Sequence, residues 1–187
     1  MAEPLAVRPL TPDRLADFET VLGKSGVSGC WCMYWLTDGS AAFRAGAAGG
    51  AQAANRAAFA ERVAAGPPPG LLAYVDDDPA GWVRVMPRVA HPGLAASRLW
   101  RTELPTDGVW SLSCFRIRAP YRGRGLMRPL IAAAIAHART HGATAVEAYP
   151  RDTDARLSPA AAYLGRAASF RALGFREVQR SAPDRPM

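Results

Sequence analysis

The sequence predicts a mixed α/β fold, and three observations carry that reading: an antiparallel hairpin over Leu71 to Met86, a strand-helix-strand order from Val109 to Tyr149, and a late helix stopped by Gly174 with a strand behind it. With 187 residues and 49% hydrophobic content, the chain can bury one real core. Its length is near the upper range for a single unit, so one domain covering residues 1–187 is expected.

The elements follow in order. Leu5 to Leu10 reads as a first strand. Thr11, Pro12 and Asp13 supply an N-cap hydroxyl, a proline at N1 and an early acid, together a helix start; Leu15, Phe18 and Leu22 give that helix its apolar face, and Gly23 stops it. Cys30 to Leu36 is dense in large side chains without period-2 alternation, which fits a short buried helix or a loop. Small residues from Ser40 to Gly50 predict a mobile loop. Helical spacing resumes over Asn55 to Ala65 through Phe59 and Val63, until Gly66-Pro-Pro-Pro-Gly70 ends it. Leu71–Val75 and Ala80–Met86 are β-formers flanking the turn cluster Asp76 to Pro79. Pro87 to Asp107 reads as a long irregular connection whose Trp100 covers the core or lines a site. Val109 to Arg118 is a strand, and Leu126, Leu130, Ile131, Ala134, Ile135 and Ala138 mark a helical stripe closed by Gly142. Ala143 to Tyr149 is a short buried strand, which implies a right-handed crossover to a parallel neighbour. A helix from about Ala160 to Leu173 and a strand over Phe175 to Arg180 complete the reading.

A net charge of +7 favours an anionic partner: nucleic acid, an acidic membrane or a polyphosphate cofactor. The cations are scattered arginines with Lys24 the one lysine, and no basic block marks a nucleic-acid tail. Cys30, Cys32 and Cys114 form an odd set, read as reduced thiols. The first residues lack a basic stretch followed by an apolar one, and no apolar run approaches the roughly 20 residues of a membrane span. A soluble, cytoplasmic protein with no membrane partner is expected.

The segment Trp110 to Met127 delivers a strand directly to a helix N-terminus through Arg122-Gly123-Arg124-Gly125. Such a terminus has unpaired amides, glycine lets an anion approach the backbone, and the helix dipole favours negative charge. Pro129 belongs in the first helical turn, so the helix begins near Gly125. There is no Gly-Lys-Ser/Thr for a P-loop and no third glycine for a dinucleotide fingerprint. On these residues alone a plain tight turn with exposed arginines competes with an anion site.

The hairpin, the strand with Arg-Gly-Arg-Gly, the apolar helix, the short strand and the helix ending Leu173-Gly174-Phe175 together resemble the GNAT superfamily of N-acetyltransferases over most of the chain. The superfamily's Gln/Arg-x-x-Gly-x-Gly/Ala signature is matched at Arg122 and Gly125, with the larger Met127 in its last small position. The resemblance implies a central, mostly antiparallel sheet with a parallel splayed strand pair and flanking helices. It implies acetyl-CoA as co-substrate, with the pyrophosphate on amides of Arg122, Gly123, Arg124, Gly125, Leu126 and Met127, and the pantetheine pairing with Phe115, Arg116 and Ile117. Cys30-Trp-Cys-Met-Tyr-Trp35 also resembles a bacterial subgroup of the superfamily.

Acetyl transfer needs a neutral amine, and an alkylamine is mostly protonated at pH 7, so a base or a water relay is required. Glu147 is the candidate base, as the one carboxylate in the strand Ala143 to Tyr149; the alternative is a structural partner for an arginine. In the superfamily a tyrosine in the last helix often protonates the departing CoA thiolate. Phe170 holds that slot here, which leaves Ser169, Tyr163 or water, or an unassisted thiolate. Trp31, Tyr34 and Trp35 share a face if their segment is helical and are the candidate acceptor contacts. Zinc on Cys30, Cys32, His137 and His141 lacks the usual cysteine spacing, so no metal is expected. The expected activity is N-acetylation of a primary amine, with a small-molecule acceptor favoured, by a monomer or homodimer. A non-catalytic acyl-CoA sensor and a nucleic-acid-binding module are the competing readings.

Overall fold

The computed structural model describes residues 5–24, 26–37, 51–158 and 161–187. Strands β1 (Leu5–Pro9), β2 (Gly70–Val75), β3 (Asp78–Pro87), β4 (Val109–Ile117) and β5 (Ala145–Ala148) form one sheet in that order. Each of the first four is antiparallel to its neighbour, and β5 joins β4 in parallel from Val109↔Ala145 to Leu112↔Ala148. The expected sheet, mostly antiparallel with one parallel pair, is the one observed. Asp76 and Asp77 turn β2 into β3 with φ of 49° and 62°, a left-handed pair that the short polar side chain of Asp tolerates better than most.

The alternation of the strands divides the core into two layers. Leu71, Ala73, Val83, Val85, Leu112 and Phe115 face α5 (Met127–Thr140), which contributes Leu130, Ile131, Ala134 and Ala138. Leu72, Tyr74 and Trp82 face α1 (Leu15–Leu22) and α3 (Ala51–Ala65), which the short α2 (Gly26–Gly29) separates in the chain, through Phe18, Val21, Leu22, Phe59 and Val63. Phe18 stacks on Phe59 with ring centroids 4.5 Å apart. A smaller cluster at the sheet's end gathers Trp35, Leu94, Trp100, Tyr149, Leu164 and Met187, so Trp100 covers core.

The β3–β4 register slips between Arg84↔Cys114 and Val85↔Leu112, leaving Ser113 as an extra residue in β4. This bulge turns Cys114 onto the layer of Trp82 and Arg84 while Phe115 returns to the α5 layer, the re-aiming that bulges commonly produce.

Several expectations change. Thr11 is extended but does not cap: its hydroxyl accepts from Arg14 Nη1 at 2.6 Å, and a short 3-10 turn precedes α1. The Cys30–Leu36 segment is a turn followed by 3-10 helix at Tyr34–Leu36, because Trp31 and Cys32 take φ of 46° and 59°, which no helix accommodates. Pro87 to Asp107 includes a 3-10 turn and α4 (Pro92–Ala96). The last helix is broken: a 3-10 turn at Ala162–Leu164 is separated from α6 (Ala167–Arg171) by Gly165 at φ 79°. The strand expected over Phe175 to Arg180 is displaced to β6 (Arg180–Ala182), which forms a separate hairpin with β7 (Arg185–Pro186). Val178 lies 60% exposed with its amide bonded to the Met187 carbonyl, so its apolar character is not core patterning. The loop read over Ser40 to Gly50 lies outside the described residues, as does the start of the final helix at Ala160. Among the described residues no helix is long and apolar enough to cross a membrane.

Candidate active site

Strand β5 stops pairing at Ala148, whereas β4 runs on through Cys114, Phe115, Arg116 and Ile117 with β3 on one side alone. The unpaired edge of a strand presents amide and carbonyl groups to an extended ligand. At its end Arg118 donates through Nη1 to Asp78 Oδ1 at 2.8 Å, and Tyr121 donates to the other oxygen of Asp78. These bonds fasten the strand's exit to the β2–β3 turn. The chain then passes a 3-10 turn at Ala119–Tyr121 and reaches Arg122, whose Nε donates back to the Ile117 carbonyl at 3.0 Å.

Gly123 and Gly125 both take φ of 77°. A Cβ at either position would meet no atom within 4 Å, so the left-handed backbone borders open space. Helix α5 begins at Met127, near Gly125 as expected, with Pro129 in its first turn. Leu130 donates to the Leu126 carbonyl at 3.2 Å, and the amides before it belong to the helix end that lacks intrahelical acceptors. Leu126 offers its amide alone, since its side chain packs with Val75 and Ala80.

A cavity of about 940 Å³ runs from this turn along the β4 edge. Phe115, Arg116, Ile117, Arg122 and Met127 line it, so five of the residues expected to hold the cofactor share one surface. Gly123, Arg124, Gly125 and Leu126 complete the turn beside them. Burial and the nearby Arg122 lower the Arg116 pKa. Cys30, Cys32, Cys114, Tyr34 and Tyr163 line the far end. Burial, and then Cys114, raises the Tyr163 hydroxyl above the ordinary range, so it holds its proton at neutral pH.

Other expected residues are placed elsewhere. Trp31 is buried in the α1–α3 layer, and Trp35 donates through Nε1 to the Ser113 carbonyl at 3.1 Å; of the three aromatics proposed for the acceptor, Tyr34 alone lines the cavity. Glu147 does not line it. Its Oε1 accepts from Arg88 Nη1, from Tyr149 OH and from Ser111 Oγ, the last at 2.6 Å. Arg88 is anchored further by the Trp100 carbonyl at 2.6 Å. The geometry is that of a structural partner for an arginine, the alternative to the base role, because the carboxylate is paired with buried Arg88 and stands off the cavity wall. Ser169 is also off the cavity wall, whereas Tyr163 is on it. Phe170 is buried against Phe115 and Phe175, with centroids 5.8 and 5.2 Å away. His137 and His141 stack beside Trp110 at the end of α5, so the residues weighed for zinc are not brought together, and no group of three or more metal-ligating side chains occurs among the described residues.

Some site features escaped sequence reading. Arg156, Leu157 and Ser158 line the cavity from an irregular segment that has no periodicity to mark it. Buried His91 accepts from Ser113 Oγ at Nε2, 3.0 Å away, and its Nδ1 faces the Pro87 carbonyl at 3.2 Å; the carbonyl fixes the tautomer.

The family model described as the acetyltransferase (GNAT) family matches residues 31–165, well over half of the chain. Among solved structures, aminoglycoside N-acetyltransferase AAC(6')-Iy in complex with CoA is similar at 16% identity, covering 96% of this chain and 93% of that one, with a TM-score of 0.53. Aminoglycoside acetyltransferase AAC(6')-Ib in complex with coenzyme A is similar at 16% identity, covering 98% and 91%, with a TM-score of 0.54. These likenesses are of fold. No curated protein matches the chain.

Proposed function

Because this chain belongs to the acetyltransferase (GNAT) family, we propose that it transfers the acetyl group of acetyl-CoA to a primary amine, a cytoplasmic reaction on a small-molecule acceptor. The observation that carries this reading is the continuous cavity from the Arg122–Met127 turn to Tyr34 and Tyr163 along the unpaired edge of β4. Its course, from a helix N-terminus along an open strand edge, suits an extended thiol cofactor whose phosphates sit at one end. In this reading amides of the turn and the α5 dipole hold the pyrophosphate, Arg116 and Arg122 add charge, and the pantetheine pairs with Phe115 to Ile117. The thioester then lies beside Cys114, within the chamber lined by Tyr34 and Tyr163.

Tyr163 is the proton donor for the departing CoA thiolate. Its hydroxyl remains protonated near neutrality, and it occupies the chamber that Ser169 does not reach. Tyr34 contacts the acceptor. Neighbours named as aminoglycoside acetyltransferases motivate a polyamine panel as the first acceptor screen. The Cys30–Trp35 segment is taken as the mark of a subgroup.

The test is thermal. Acetyl-CoA should raise the melting temperature and CoA should compete, since only the native turn binds polyphosphate. Gly125→Val should lose that shift: a β-branched residue at φ 77° is strained and fills the open space over the amides. Release of free CoA with an amine panel then separates an enzyme from an acyl-CoA sensor. An unchanged shift in Gly125→Val removes the turn from the site.

A further inference from the structure

The charged side chains on the cavity wall are Arg116, Arg122 and Arg156, and among the described residues no carboxylate lines it. Behind the wall, Arg84 is fully buried on β3 opposite Cys114 and takes part in no ion pair among the described residues, and Arg62 adds positive charge to its surroundings. The rest of the lining is mainly apolar, with Leu22, Phe115 and Leu157 beside the rings of Tyr34 and Tyr163. Positive surroundings and an apolar lining both oppose an ammonium. The chamber therefore favours the neutral nucleophile that transfer needs and disfavours an acceptor with several cationic amines.

Arg122 is tied to the cofactor turn by its bond to the Ile117 carbonyl. Arg116 is placed differently. The Ser113 bulge sets Cys114 in the Trp82 layer, and strand alternation puts the Arg116 side chain on that same face, away from Phe115, Ile117 and the start of α5. Its charge reaches the phosphates through space, but its donors lie on the face walled by Leu22 of α1 and Gly26 of α2. Among the described residues its guanidinium makes no hydrogen bond or ion pair, and its Nε is buried without an acceptor. A guanidinium partly removed from water with no acceptor is costly, and a bound carboxylate offsets that cost with charge-assisted bonds. Arg156 brings a second cation from the other wall. Its side chain is exposed and unpaired among the described residues, while the backbone before it is pinned by Arg166, which donates to the carbonyls of Thr153 at 2.6 Å and Ala155 at 2.8 Å.

We propose that the acceptor is a primary amine carrying a carboxylate at the far end of an apolar body, with Arg116 binding that carboxylate and Arg156 adding charge at the cavity rim. This rests on the acyl-CoA reading above and narrows its acceptor. Cys114 and Arg116 are two residues apart, about 7 Å along an extended strand. With the thioester beside Cys114, the reacting nitrogen and the anchored carboxylate are separated by a comparable span. An aromatic ring with one methylene bridges such a distance and suits the walls of Tyr34, Leu157 and Tyr163. A polyamine brings ammonium groups to the same arginines and has nothing to pair with them.

The experiment follows CoA release by the full chain with three acceptors: para-(aminomethyl)benzoate, its methyl ester, and spermidine. The acid should exceed the ester in kcat/KM by roughly 10–100-fold, mostly through KM, as expected for a charge-assisted bond made in ground and transition states alike. Spermidine should be poorer than either. Arg116→Gln should bring the acid down to the level of the ester, and Arg156→Gln should narrow the gap in part. The rise in melting temperature with acetyl-CoA, kept in both variants, shows that each is folded and binds the cofactor. A wild type that prefers spermidine or the ester, or releases CoA with none of the three, overturns the proposal and leaves the cofactor reading intact. So does an Arg116→Gln protein that keeps the preference for the acid, or an Arg156→Gln protein that loses the acetyl-CoA shift. If acetyl-CoA fails to shift the wild type, both readings fall.

Discussion

Replacing Glu147 with Gln separates a buried anchor from a catalytic base. The side chains of Glu147 and Arg88 are 13% and 6% exposed, and one carboxylate oxygen accepts from Arg88, Ser111 and Tyr149. Gln keeps the volume and can accept as a neutral amide, but Arg88 then holds an uncompensated charge. Breaking a buried pair in this way costs about 3–5 kcal/mol. At this chain length, about 2–4 °C per kcal/mol gives a fall in Tm of roughly 6–20 °C. Urea denaturation should show a lower midpoint with an unchanged slope. Below the new Tm, the loss of rate should be modest and should not recover as pH rises. Removing both charges, as Arg88→Met with Glu147→Leu, should cost less than Glu147→Gln alone, since no charge is then stranded. The reasoning is refuted if Glu147→Gln keeps its stability within about 0.5 kcal/mol while kcat falls about 10²–10⁴-fold and recovers towards the amine's pKa.

The remaining predictions concern proton delivery and acid stability. Phe170→Tyr should lower stability by about 1–3 kcal/mol without raising turnover, because its hydroxyl would enter the buried cluster of Phe115 and Phe175; Tyr163→Phe should instead keep stability and CoA affinity and reduce kcat. A faster Phe170→Tyr enzyme would show that the last helix, not the chamber wall, delivers the proton. Burial and then Arg84, with Arg88 and Arg62 adding repulsion, draw His91 down to about 3 against the weaker opposing bond to the Pro87 carbonyl. Folded His91 is neutral while the unfolded residue protonates near pH 6.5, so its contribution is complete above that pH and is lost as pH falls towards 3, at about 2 kcal/mol between pH 6.5 and 5. Urea midpoints over that window should fall less steeply in His91→Gln; equal slopes would exclude His91 as the source.

The sheet and the cofactor turn were legible because their causes are local. The unbroken run of β-formers from Leu71 to Val75 marks a strand buried on both faces, and Gly123, Gly125 and Pro129 constrain their own backbone. What the sequence concealed depends on register. Glu147 reads as an isolated carboxylate until parallel pairing sets it opposite Ser111 and brings Arg88 against it from another strand's end. Ser169 and Tyr163 are equally plausible donors in sequence, and the break at Gly165 decides which reaches the cavity.

The cysteines show the same dependence most sharply. Nothing near Cys114 in sequence distinguishes it from a small apolar strand residue, and Cys30-Trp31-Cys32 reads as an aromatic cluster. One extra residue at Ser113 rotates Cys114 onto the Arg84 layer, and the left-handed pair Trp31–Cys32 brings a sulfur to meet it. Trp82 Nε1–H donates to the Cys32 sulfur at 3.1 Å, and the Cys114 side chain first, with the Arg84 charge, draws the Cys32 thiol down to about 7 against burial; if the bulge is what brings Cys114 there, deleting Ser113 should return Cys114 to the other layer and remove that contact. The Cys32 alkylation profile should then shift to higher pH even where the sheet survives. A profile that stays near pH 7 would leave Arg84 and Trp82 as sufficient causes and reduce Cys114 to a neighbour.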